Sequence, residues 1–102
     1  MTGPLTIEAI GGIFMDKVFI GATGVDPVRG ATAIEADEAA VFRAFARQAK
    51  QVIMVADSSK IGMVSPSLIC PVNRIDKVIT DRGIDSAMLD AFRSAGVEVV
   101  VV

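Results

Sequence analysis

The residues with the most chemistry to offer stand together at Asp57-Ser58-Ser59-Lys60, where one carboxylate, two hydroxyls and an ammonium occupy four successive positions. They follow directly on Val52-Ile-Met-Val-Ala56, five apolar residues of which Val52, Ile53 and Val55 are β-branched. A short run of that kind reads as a strand covered on both faces, the habit of parallel sheets. Ligands of such sheets sit outside the carboxyl ends of the strands, so the cluster falls where a binding site is expected. The plainer reading is an Asx or Ser turn with Lys60 in solvent, and the four residues alone fit it as well.

The rest of the chemical inventory is thin. The chain has no His, Tyr or Trp, and its one cysteine, Cys70, lies in an apolar, Pro-flanked stretch without a base beside it. A thiol nucleophile is therefore not expected. No group of residues has metal-ligand spacing, and neither a metal nor a cofactor is expected. Gly21-Ala-Thr-Gly24 begins like a dinucleotide fingerprint, but Pro27 stands where the last glycine belongs. The next helix also starts about ten residues too late, which excludes that reading. What remains is a Gly-bounded strand end, either exposing backbone amides to an anion or needing glycine for a tight turn alone.

The elements that position these groups follow from pattern. Pro4 and the pair Gly11-Gly12 bracket a short helix over about Leu5 to Ile10. Met15 to Gly21 reads as the first strand, and the turn formers Asp26, Pro27, Arg29 and Gly30 make Val25 to Thr32 a loop. Glu35 to Lys50 is the clearest helix, with Val41, Phe42, Phe45 and Ala49 as its apolar stripe and Asp37 or Glu38 in its first turn. Val52 to Ala56 is the central strand, Leu68 to Cys70 at most an edge strand, and Ile75 to Thr80 another strand. A helix from Ser86 to Ala95 has Asp85 or Ser86 as cap and Gly96 as stop, and Val97 to Val102 is the last strand. This alternation predicts right-handed βαβ units. Three strand ends then bring Gly21 to Asp26, Asp57 to Lys60 and Thr80-Asp81 to one edge, and the helix start brings Glu38. Hydroxyls, acids and one ammonium there would suit a phosphorylated polyol, with Lys60 meeting the phosphate as a point charge.

Composition bounds the function. A chain of 102 residues makes one domain at most and can bury about 60 to 70 % of its unfolded surface. It is 52 % hydrophobic and 22 % charged, as expected of a globular chain with a covered sheet. A net charge of −2 provides no general basic field, which argues against nucleic-acid binding by this segment. Arg43, Arg47 and Lys50 are spaced to share a helix face, expected to be solvated. One cysteine makes no internal disulfide, so a reducing compartment is expected. No apolar run approaches the roughly 20 residues of a membrane span, the start lacks a basic n-region, and a cytoplasmic location follows. Val99-Val-Val-Val102 needs pairing and cover. With four or five strands and three helices the sheet is expected to be under-covered, leaving the missing layers to another copy or to a longer domain.

Several segments occur together that point to a family: Met15-Asp-Lys-Val-Phe-Ile-Gly-Ala-Thr-Gly-Val-Asp26, Arg29-Gly30, Glu38-Ala39, Val55-Ala-Asp-Ser-Ser-Lys-Ile-Gly62 and Ile79-Thr-Asp81. In this order and spacing the chain resembles the C-terminal sensor domain of DeoR-family bacterial transcription regulators. The resemblance implies a Rossmann-like parallel α/β domain of the ribose-5-phosphate isomerase and coenzyme A transferase type. It implies binding of a phosphorylated sugar or related metabolite, in an oligomeric protein that usually represses a sugar-catabolism operon and touches DNA through an N-terminal winged helix-turn-helix. Residues 1–102 then form the C-terminal part of the sensor domain, an incomplete domain. The ligand-side residues are Gly21, Thr23, Gly24, Asp26, Glu38, Asp57, Ser59, Lys60 and Asp81, with no catalytic residue. Isomerases of this kind carry Asp-Gly-Ala-Asp where this chain has Ile20-Gly-Ala-Thr23, so sugar-phosphate binding without chemistry is expected. The rival readings are an isomerase-like enzyme and a ligand-free oligomerisation module. Phe42 stands where family members usually have a polar residue.

Overall fold

Residues 4–102 are described by the structure, a computed structural model. In chain order they form α1 (Pro4–Ile10), β1 (Met15–Gly21), β2 (Gly24–Asp26), β3 (Gly30–Ala33), α2 (Ala36–Gln48) and β4 (Ala49–Val55). A 3₁₀ turn (Ser58–Lys60), β5 (Ser67–Cys70), a second 3₁₀ turn (Val72–Arg74), β6 (Lys77–Thr80), α3 (Ser86–Ser94) and β7 (Glu98–Val101) follow. The expected α/β architecture with a Rossmann-like parallel sheet is present: β1, β4, β6 and β7 lie side by side in that order, all parallel. A second, antiparallel sheet has the order β2, β3, β5.

Because spatial order equals chain order, every right-handed crossover lands on the same side of the parallel sheet. The packing agrees. Side chains alternate between faces, and the register aligns Val18 with Val52, Ile20 with Met54, Met54 with Val78, and Val78 with Val99. That face packs into one core with Phe92 of α3, Ala39 and Ala46 of α2, and Val25, Ala31 and Ile69 of the second sheet. Burial of a large apolar side chain such as Phe92 or Met54 contributes about 1.5–3 kcal/mol. The opposite face carries Phe19, Ile53, Val55, Ile79 and Val100; Ile53 at its centre is buried, whereas Phe19 is 61 % exposed and Val55 42 %.

Three sequence expectations are corrected. Val25 to Thr32 is a hairpin, with Gly24 opposite Thr32 and Asp26 opposite Gly30. The turn formers make its turn, where the Asp26 carboxylate accepts from the Val28 and Arg29 amides at 2.9 and 2.7 Å, and Gly30 takes a φ of +89°. The long helix ends at Gln48, because Ala49 and Lys50 are drawn into β4, where Met15 aligns with Ala49. Its fully buried face is built from alanines, Ala39, Ala44 and Ala46, with Phe42 packed half-buried at the core. Small side chains let a helix approach its neighbours closely, which the hydrophobic stripe of larger residues obscured. The edge strand near Leu68 pairs with β3 in the second sheet. For α3 the Asp85 carboxylate caps the Ala87 amide at 3.2 Å, and Gly96 ends the helix region with a φ of +85°.

Candidate functional site

The carboxyl ends of β1, β4 and β6 lie together, and each carries polar residues. After β4 the Asp57 side chain caps the turn Ser58–Lys60, accepting from the Ser59 amide at 2.9 Å and from the Ser59 hydroxyl. Those two bonds, the hydroxyl first, hold the exposed Asp57 carboxyl below its ordinary value of 3.8. Asp81, one residue past β6, accepts from the Ser58 amide at 2.9 Å and the Gly83 amide at 2.8 Å. Donation from Ser58, and then from Gly83, likewise lowers its pKa from 3.8. Glycine is required at 83 for contact: a Cβ there would lie 2.4 Å from Ser58 Oγ. Asp81 thus ties the ends of β4 and β6 into one frame.

A second frame joins the hairpin to the segment that follows Lys60. The Gly62 amide donates to the Val25 carbonyl at 2.8 Å, and Val25 and Ile61 form a parallel bridge. Thr23 Oγ1 shares a 3.0 Å hydrogen bond with Ser65 Oγ and donates to the Thr32 carbonyl at 3.2 Å. Thr32 Oγ1, almost fully buried, accepts from the Ser65 amide at 2.8 Å. Gly24 fits here because a Cβ would lie 2.4 Å from the Met63 carbonyl oxygen.

Between these frames the turn Ser58–Lys60 is held from both sides: to β6 through Asp81, and to β2 through Gly62. Lys60 is half-buried and its amide donates to the Asp57 carbonyl at 3.0 Å; its ammonium takes part in neither of the two ion pairs among the described residues. Ser59 is exposed. A hollow of about 220 Å³ between the ends of β4 and β6 is lined by Val55, Ala56, Asp57, Ile79, Thr80 and Asp81, among others. Thr80 Oγ1, buried at the end of β6, has no hydrogen-bond partner among the described residues.

The structure therefore brings Asp57, Ser59, Lys60 and Asp81 into one group, with Thr23 and Gly24 in the adjoining hairpin frame. Asp26 spends its carboxylate on the hairpin turn. Gly21 ends β1 with open space around it, the nearest atom to a Cβ being the Val55 carbonyl oxygen at 4.0 Å. Glu38 is exposed in the first turn of α2 and makes no hydrogen bond or ion pair among the described residues through its side chain. Sequence reasoning placed Ser58 at the strand end with Asp57, Ser59 and Lys60 but not its bond to Asp81, and it missed Thr32 and Ser65 as structural partners of the site. Of those two only Thr32 left a signal, as a hydroxyl set among the small residues Gly30 to Ala33. Among the described residues no group of acids or Cys70 has the makings of a metal site. No helix among them is long and apolar enough to cross a membrane.

Comparison with known proteins adds a family. The model of the DeoR C terminal sensor domain matches residues 1–82. The chain is 39 % identical over 87 residues to an Escherichia coli O157:H7 protein whose name assigns it to repression of the aga operon, covering 85 % of this chain and 32 % of that protein. It is 37 % identical over 99 residues to the HTH-type transcriptional repressor GlcR of Bacillus subtilis, covering 97 % of this chain and 38 % of that one. Identity to the HTH-type transcriptional regulator GlpR of Haloferax volcanii is 32 % over 100 residues, 98 % of this chain and 39 % of the relative. The chain thus spans 32 to 39 % of the length of these curated relatives.

Proposed function

This chain belongs to the family of DeoR C-terminal sensor domains, and from that premise we propose that it senses a phosphorylated sugar or related metabolite at the carboxyl edge of its parallel sheet. Residues 1–102 are then the C-terminal part of the sensor region of a cytoplasmic transcription regulator, a repressor that works as a homo-oligomer. Effector binding here would control the grip on DNA of an N-terminal helix-turn-helix domain, the part of the protein that meets DNA. No catalysis and no cofactor enter this reading. The observation that carries it is the double fixing of the turn Ser58–Lys60, to β6 by the Asp81 carboxylate and to β2 by the Gly62 amide. A turn held in this way presents Lys60 at the strand ends with little freedom left to lose on binding, and pre-organisation of that kind raises affinity.

In this reading Lys60 meets the phosphate, Asp57, Ser59 and Asp81 address hydroxyls, and Gly21, Thr23 and Gly24 form the neighbouring wall. Glu38 completes the ligand-side set, and Asp26 serves it by holding the hairpin turn. A hydrogen bond to a charged group contributes about 1.5–3 kcal/mol, so Lys60→Ala should weaken a sugar phosphate by about 10- to 150-fold. Calorimetric titration of wild type and Lys60→Ala against a panel of phosphorylated sugars tests this, within a full-length regulator where the 102-residue chain binds too weakly. Equal affinities for the two proteins would remove Lys60 from the site. Turnover of ribose 5-phosphate above background would replace the sensor reading by the enzymatic one.

A further inference from the structure

A second basic feature lies at the other end of the sheet. Arg43 and Arg47 stand one turn apart on α2, and Arg74 sits across from them in the turn Val72–Arg74. All three line a groove of about 150 Å³ whose floor includes Leu68, Cys70 and Pro71. This is the C-terminal half of α2 and the segment before β6, and so the amino end of the parallel strands, away from Lys60. The sequence suggests that Arg43 and Arg47 belong to a solvated face shared with Lys50. Arg47 and Lys50 are exposed as that reading expects, but Lys50 is drawn into β4 and pairs with Asp16 at 3.7 Å, and Arg43 is half-buried.

Two of the three guanidiniums are held by backbone. Arg43 Nη2 donates to the Leu68 carbonyl, and Arg74 Nη2 donates to the Ala46 carbonyl at 2.9 Å. Each guanidinium offers five N–H donors, so most remain unspent. None of the three is ion-paired: the pairs among the described residues are Lys50 with Asp16 and Lys77 with Glu98. Asp76, the acid nearest in sequence to Arg74, accepts from the Val52 amide at 2.8 Å and makes no ion pair among the described residues. Three cations without an ion-pair partner among the described residues thus line one small groove in a chain whose net charge is −2. Guanidinium forks match phosphate and carboxylate oxygens in geometry, and such charge-assisted pairs are the strong ones.

We propose that the groove between Arg43, Arg47 and Arg74 is a binding site for a small phosphoryl dianion, separate from the site at the strand ends. Its volume suits one phosphoryl group with little attached. Arg43 and Arg74 are the pre-set donors, and Arg47, whose side chain makes no hydrogen bond among the described residues, closes on the anion when it arrives.

The test titrates inorganic phosphate into the 15N-labelled chain at constant ionic strength made up with chloride, following amide shifts. Saturable shifts at Leu68 to Cys70 and Val72 to Arg74 are expected, and Arg47→Gln, which removes a charge without removing a structural bond, should weaken them by about tenfold. Arg74→Gln should weaken them at least as much, while Lys60→Ala leaves them unchanged. Absence of saturation at these amides, or saturation that survives both arginine variants, overturns the site. Shifts confined to Ser58 to Lys60 and Asp81 would overturn it as well, while leaving the effector proposal standing; loss of those shifts alone would do the reverse.

Discussion

Replacing Gly24 by alanine should cost far more than the same change three residues earlier. A Cβ at position 24 would lie 2.4 Å from the Met63 carbonyl oxygen and 2.8 Å from Thr32 Oγ1. Contacts shorter than 3.0 Å are essentially never made by real Cβ atoms, so the Met63 carbonyl has to retreat from 2.4 Å to beyond that limit. Met63 is tied back by its amide to the Lys60 carbonyl at 3.3 Å, and Thr32 Oγ1 by the Ser65 amide at 2.8 Å. Neither obstacle is the free end of a long side chain. Overpacking of this kind costs about 1–3 kcal/mol, and a buried hydrogen bond lost in the adjustment about 0.5–1.5 kcal/mol more, giving a total of about 2–4 kcal/mol. At Gly21 the nearest atom to a Cβ is 4.0 Å away, and relief from glycine's entropy makes Gly21→Ala neutral or stabilising by up to about 1 kcal/mol. Urea unfolding followed by circular dichroism separates the two: Gly24→Ala should lower the midpoint by about 1–3 M, and Gly21→Ala should leave it level or raise it. If Gly24→Ala unfolds within about 0.5 kcal/mol of wild type, or if both variants fall together, the steric account of the hairpin frame is wrong.

Three further outcomes are expected. Phe92→Ala, at a fully buried ring, should lose about 3–5 kcal/mol, whereas Phe19→Ala on the open sheet face should lose less than about 1 kcal/mol; similar losses in denaturant would show that face to be covered. The Cys70 thiol, pushed up to about 11 by burial, should react with an aromatic disulfide reagent at pH 8 far more slowly in the native chain than in urea, and a fast stoichiometric reaction of the folded chain would refute its placement. Asp57 and Asp81 have native pKa values lowered below 3.8 by their hydrogen bonds, so the stability they contribute is complete above that value and is lost as pH falls through the lowered native values. The gap in urea midpoint between wild type and Asp81→Asn should therefore be widest near neutrality and close in acid; a gap independent of pH would mean that the charge of Asp81 does not matter.

How much was legible in the sequence depended on whether a residue's partner was near or far along the chain. Met15 to Gly21 reads correctly because its apolar residues and its terminal glycine are local signals, and so do Asp85 as a cap and Gly96 as a stop. The hairpin of β2 and β3 was hidden because three or four residues, mostly Gly, Ala and Thr, carry too little pattern to outweigh Asp26, Pro27 and Gly30. The end of α2 was misplaced because Ala49 favours a helix by propensity, while its pairing with Met15, 34 positions away in the numbering, is decided by the sheet. For the candidate site, the strand-end positions of Asp57 to Lys60 and Asp81 followed from the alternation of strands and helices. The Ser58 amide as the link to Asp81 did not, since any residue has an amide and only the folded register selects one. Arg74 likewise had no sequence tie to Arg43, and their meeting depends on how α2 lies along β5.

The order of the parallel strands also has a consequence for how the sheet is made. β1, β4, β6 and β7 stand in space as they stand in the chain, so no later strand ever has to be wedged between two earlier ones. During synthesis each emerging strand meets a single finished border and adds to it. Domains begin to fold while translation proceeds at about 5–20 residues per second, and a sheet that grows by accretion can use that interval. Adhesive segments gain most from this. Val99-Val-Val-Val102, the stretch most prone to pair with strangers, follows β6 in the chain and pairs with the border that β6 offers.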